Sequence, residues 1–175
     1  TKFLVASTKF EQILKTLRSE ENIPEKIDKA YFEDLGFGES TDFLVLSLLI
    51  DLGMISNDGT PTQLFRQFRN KETSREAFAY GVVQAYEDLL KENPSIYNSS
   101  NEEIINLIHD KIDSQKSDII LNYMANTFKT LVNFAGPQTI KRIWEKKEHE
   151  QENSIIESAG LVATHYNGDR TASSE

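Results

Sequence analysis

One segment sets the terms on which the rest of the chain can fold. Between Ser40 and Gly53, the residues Phe43, Leu44, Val45, Leu46, Leu48, Leu49, Ile50 and Leu52 are apolar, and Ser40, Ser47 and Asp51 form the remaining polar stripe. Read as a helix over about Ser40 to Leu52, with Gly53 at the C′ position that stops it, the segment is apolar around almost its whole circumference. Such a helix persists only when it is covered on most sides. It is too short for a bilayer, which takes roughly 20 consecutive apolar residues. The cover must therefore come from the rest of the protein.

That cover is supplied by helices whose starts are legible. Thr8 and Glu11 have the spacing of a capping box, in which the Thr side chain accepts from the third helical N–H and the Glu reaches back. Behind them Phe10, Ile13, Leu14 and Leu17 share one helical face. Asp28 caps a short helix carrying Tyr31, Phe32 and Leu35, and Gly36-Phe37-Gly38 is a turn. After the buried segment, Asn57-Asp58-Gly59 is a tight turn. Thr60 then caps a helix with Pro61 at its first position and Gln63 closing the box, and Leu64, Phe65 and Phe68 face inward. Thr73 and Glu76 mark a further box before Phe78, Val82, Ala85, Tyr86 and Leu89, a run that lasts to Asn93-Pro94. Ser100 and Glu103 cap a helix with Ile104, Ile105, Ile108 and Ile112. A last long helix begins around Ser114, carries Ile120, Tyr123, Met124, Thr127, Phe128 and Leu131, and ends at Gly136-Pro137.

Past Pro137 the pattern thins. Ile140, Ile143 and Trp144 extend a helix onto the core, Glu145 to Glu152 is a solvated mixture of charges, and Leu161 to Tyr166 reads as a weak β-like stretch in a polar end. The expected organisation is one helical domain over 1–136, in halves 1–70 and 71–136, a helical extension over 137–153 and a flexible tail over 154–175. At 175 residues this is the size of one folding unit that needs no staples.

The stretch from Leu4 to about Ala135 resembles a family of small prokaryotic proteins classed as a domain of unknown function. The matching words are LGFGESTDFLVLSLLIDLGMISNDGTPTQLFRQFRN at 35–70, AYEDLL at 85–90 and NTFKTLVNFA at 126–135. The Leu-Gly-aliphatic-Ile string running into Asp58-Gly59-Thr60-Pro61-Thr62 is the most specific of them. The resemblance implies a mainly α fold, with a winged-helix-like first half of three helices and a short extended piece, followed by a helical second half. It implies no catalytic residues. The family's members often run on into a further apolar segment, from which the end of this chain departs after Ser154.

Composition narrows the chemistry. With no cysteine, disulfides, thiolate nucleophiles and thiolate-held metals are excluded, which fits a reducing, cytoplasmic home. Phe3-Leu4-Val5-Ala6 is too short for the apolar core of a signal peptide. A net charge of −9, from 28 acidic and 19 basic residues, repels phosphate backbones and anionic lipid.

Four constellations bear on function. In a winged-helix arrangement the third helix would enter the major groove. Here it offers Ser40, Thr41, Ser47 and Asp51 and no Lys or Arg, so it reads as a core helix. Arg66, Arg69, Lys71 and Arg75, opposed only by Glu72, form the one basic cluster. Arginines so spaced suit phosphates or an acidic partner surface. His109 and Asp113 share a face at i, i+4 with Asp110 beside them, too few ligands for a metal site. No phosphate-binding glycine loop and no nucleophile–base–acid set is present. Trp144, near the edge of the patterned region, reads either as a partner anchor or as the last core contact.

The expected function is a non-catalytic binding or regulatory module, not an enzyme, engaging a protein partner or forming a homodimer, with no cofactor, metal or membrane. Arg66, Arg69, Lys71 and Arg75 would form its anion- or partner-binding patch. The alternative is a DNA-binding regulator that uses the same residues and the Asn57–Thr60 turn. Lys9, Lys15, Arg18 or Lys29 gathered beside Arg66 and Arg69 would favour DNA, whereas their dispersion among acids would favour protein.

Overall fold

The computed structural model describes the backbone of residues 9–168 and the side chains of residues 9–160. The chain is mainly helical, and among the described residues it has no strand. Its helices are α1 (Phe10–Ser19), α2 (Lys29–Asp34), α3 (Leu44–Asp51), α4 (Gln63–Arg69), α5 (Ser74–Ala85), α6 (Glu87–Glu92), α7 (Asn101–Leu107), α8 (Asp118–Ala135) and α9 (Pro137–Gly168). The chain divides after Ile143 into two units.

In the first unit the apolar pattern has become a core. Phe10, Ile13, Leu14 and Leu17 of α1 are buried, as are Val45, Leu48 and Leu49 of α3. α4 packs on α5, α5 on α8, and α7 on α8. An aromatic chain threads these contacts: Phe65 to Phe68 at 6.2 Å, Phe68 to Phe78 at 5.7 Å, and Phe78 to Phe134 at 4.8 Å between ring centroids. The edge-on and tilted ring pairs place positive ring edges against negative faces.

α5 comes close to the end of α3 at Gly81. A Cβ on Gly81 would stand 2.7 Å from the Leu52 carbonyl oxygen, so no other residue fits there without moving backbone. Beyond α3, Gly53 has φ +74 and Gly59 φ +85, the left-handed region that favours glycine. The extended piece is a single antiparallel bridge between Ile55 and Pro61 across the Asp58-Gly59 turn. It is tied down where the Ile27 N–H donates to the Gly59 carbonyl at 2.8 Å.

The caps fall partly where the sequence places them. Asp28 accepts from the Tyr31 N–H at 3.0 Å. Ser100 and Glu103 form the full capping box, and these hydrogen bonds, those to Ser100 foremost, hold the Glu103 carboxyl below its ordinary range. Several starts differ. Thr8 lies outside the described residues, and Lys9 is the N-cap of α1. α4 is capped by Thr62, not Thr60, because Pro61 is held in the bridge to Ile55. Thr73 has its hydroxyl drawn to the Gln67 carbonyl at 2.7 Å and gives α5 no side-chain cap. α3 is shorter than expected, preceded by turns at 40–43 in which the Asp42 carboxylate, 2% exposed, accepts from the Glu39 N–H at 3.1 Å. The run from Thr73 to Asn93 is two helices, parted at Tyr86 (φ −113°, ψ 25°). α8 is capped by Ser117 rather than starting near Ser114.

The second unit contains the outer part of α9. Residues 161–166 are helical there, not extended: a helix already under way adds a hydrogen bond for each residue it fixes. From Glu145 to Gly160 no side chain is buried.

Candidate functional site

The basic cluster sits on two helices and the turn between them. Arg66 and Arg69 belong to α4, Lys71 follows it, and Arg75 is in the first turn of α5. Arg66, Lys71 and Arg75 are exposed, and none forms an ion pair with a described residue. Arg69 behaves differently. It is half-buried, and its guanidinium donates through Nη2 to the carbonyl of Glu20, the C-cap of α1. A cation at a helix C-terminus meets unsatisfied carbonyls and the negative end of the helix dipole. Arg69 thus ties α4 to α1, while the other three face solvent.

Of the other cations of the first half, Lys9, Lys15 and Lys29 are dispersed and Arg18 lies next to the cluster. Lys9 pairs with Glu39 at 2.8 Å and Asp42 at 3.7 Å. The hydrogen bond to Glu39, with the nearby Asp42 charge, raises the pKa of Lys9 above the ordinary lysine value. Lys15 lies 3.7 Å from Glu11. Lys29 sits over the Phe43 ring, 5.2 Å from its centroid. Arg18 is held by the Phe68 and Phe134 rings, each 6.0 Å away, and its Nη1 is 3.5 Å from Ser74 Oγ. In the Asn57–Thr60 turn the Asp58 carboxylate accepts from Ser56 and from the Thr60 N–H and pairs with Lys26 at 3.6 Å. The Ser56 hydrogen bond foremost keeps Asp58 well below the usual carboxylate range. The carboxylate of that turn is thus paired with Lys26.

The histidine and its acids do not assemble as their spacing suggested. The chain leaves α7 through a π-helical turn over Ile108–Ile112, and Asp113 is already extended, with φ −155° and ψ 95°. The wider turn destroys the i, i+4 face. His109 Nδ1 meets Asp110 Oδ1 at 2.9 Å, whereas Asp113 accepts from the Gln115 N–H and pairs with Lys116 at 3.5 Å. No group of three acids and histidines that could hold a metal occurs among the described residues. Nor is any helix among them long and apolar enough to cross a membrane. Trp144 is buried at 3% exposure, so it is not a displayed anchor.

Residues 3–142 match a family described as a family of unknown function, DUF5343. The chain belongs to this family. No curated protein and no solved structure matches it. The DUF5343 region covers the whole basic cluster and ends within the first turns of α9, so the exposed outer half of that helix lies beyond it.

Two features of the DUF5343 region escape sequence reading. Arg18 looks like any solvated cation in the last turn of α1, and only the packing of α4 and α8 places aromatic rings around it. Thr139, 8% exposed in the first turn of α9, gives no signal in the sequence that a polar residue is buried there.

Proposed function

We propose that this protein is a non-catalytic binding module that engages a protein partner, another chain or a second copy of itself, through the outer half of α9. The observation that carries this reading is the state of that helix. Ile155 and Ile156 are 69% and 67% exposed, in a stretch from Glu145 to Gly160 without a buried side chain. A helix with no buried face is marginal on its own in water, and adjacent large apolar side chains on a surface mark contact sites more than solitary ones do. Three of the four cations that distinguish the readings, Lys9, Lys15 and Lys29, lie on acids or a ring, which supports a protein partner over nucleic acid, whereas Arg18 lies against Ser74, next to Arg75. In this reading the module works in the reducing interior of a cell, in keeping with a chain that has no cysteine.

The second reading, a DNA-binding winged-helix regulator, rests on Arg66, Lys71 and Arg75, which stay exposed without an ion pair among the described residues. A photo-crosslinking amino acid at position 155, and in a separate sample at position 71, tests the two together in cells. Protein adducts from position 155, to another protein or to a second copy, are expected. Adducts to nucleic acid from position 71, with none to protein from position 155, would reverse the ranking.

A further inference from the structure

Arg75, exposed like Arg66 and Lys71, also reaches the junction between α8 and α9. Between α8 and α9 the chain passes through Gly136 at φ +89, and a Cβ built there would meet just two side-chain atoms within 4 Å: Thr139 Oγ1 at 3.4 Å and Arg75 Nη1 at 3.9 Å. A hydroxyl and a guanidinium from separate helices thus converge on one small space at the N-terminus of α9. Thr139 is more than nine-tenths buried, yet its hydroxyl has no hydrogen-bond partner among the described residues. Other helical threonines of this protein donate to the carbonyl four residues back, as Thr16 does to Gln12, Thr127 to Tyr123 and Thr130 to Asn126. Thr139, two residues into α9, precedes the point where that ladder starts.

The surroundings carry positive charge. Arg18, gripped by the Phe134 ring two residues before Gly136, reaches toward Ser74 Oγ, and Ser74 precedes Arg75 and is 5% exposed. Glu76, the nearest acid in the chain, is engaged by Arg142 at 2.8 Å. The N-terminus of a long helix adds the positive end of its dipole.

We propose that Arg75 and Thr139, at the α8–α9 junction with Arg18 and Ser74 behind them, form a binding site for a phosphate group, either the free ion or the terminal group of a small monoester. The Arg75 guanidinium offers a donor fork matched to two phosphate oxygens, and the Thr139 hydroxyl donates to a third. The outer half of α9 takes no part in this site, so its test is independent of the partner reading.

The experiment is a titration of the isotopically labelled protein with inorganic phosphate, ionic strength held constant with sodium chloride, read from amide resonances. Saturable shifts at Ser74, Gly136 and Thr139 are expected. Arg75→Gln, a surface change that leaves the core intact, should weaken binding about tenfold or more, the scale of one charge-assisted hydrogen bond. Thr139→Val, which keeps the shape, should weaken it about threefold to tenfold. Repeating the titration with glycerol phosphate separates the sources: tighter binding of the monoester assigns a phosphorylated metabolite, and equal or weaker binding assigns the free ion. Shifts that never saturate, or saturable binding unchanged in Arg75→Gln, would overturn the proposal. Arg75→Gln decides alone if Thr139→Val does not fold.

Discussion

The unit up to Ile143 and the helix beyond it obey different rules. In the first, helix goes with burial: Val45, Leu48 and Leu49 of α3 are buried in the core, and Leu44, Leu46 and Ile50 on its other faces are half-buried. In the second, the backbone from Glu145 to Gly160 is equally helical with no buried side chain. Its helicity rests on propensity and on propagation from the turns before it. A core residue is fixed by its neighbours. Ile155 and Ile156, at 69% and 67% exposed, are not fixed in that way.

Substitutions break this contrast in graded steps. Phe78 lies between the Phe68 and Phe134 rings, and Phe78→Ala should cost about 3–5 kcal/mol of unfolding free energy by denaturant titration. Gly81→Ala forces a Cβ against the Leu52 carbonyl, and about 1–3 kcal/mol is expected. Ser100→Ala, which removes the N-cap of α7, should cost about 1 kcal/mol at pH 7. Its pH dependence sharpens the point. Glu103 has a folded pKa below its unfolded value, so its contribution is present above the unfolded carboxylate range and is lost as pH falls through the folded value. The penalty of Ser100→Ala should therefore shrink in acid, as unfolding midpoints at pH 7 and pH 3 would show. At the other extreme, Ile155→Ser with Ile156→Ser should change stability by less than about 0.5 kcal/mol, while removing the cross-links expected from this face. A loss comparable to Phe78→Ala would mean that these isoleucines belong to a core.

Legibility followed the range of the interactions. Asp28, Ser100 with Glu103, Gly53 and Gly136 act within a few residues of themselves, and each does what its local pattern announces. The core face of α1 was equally plain, since period and burial agree. Signals failed where a distant or competing partner intervened. Thr60 lost its cap to Thr62 once Pro61 was held by Ile55. Thr73 turned to Gln67. The His109–Asp113 face vanished in a π-helical turn that no spacing rule foresees. The candidate site divides the same way. Arg66, Lys71 and Arg75 are exposed as a charge run suggests, but Arg69 was drawn to the end of α1, and Arg75 to Gly136, by packing that brings segments 49 and 61 residues apart together.

The central proposal is that this protein engages a protein rather than nucleic acid, and a salt-dependent DNA titration tests it most directly. A labelled random-sequence duplex would be followed by fluorescence anisotropy as protein is added at about 50 and 200 mM salt, the span over which phosphate contacts weaken sharply. The account predicts no binding at tens of micromolar protein in either buffer. Micromolar binding at low salt that collapses at high salt, and that disappears in an Arg66→Glu/Lys71→Glu variant, would contradict it.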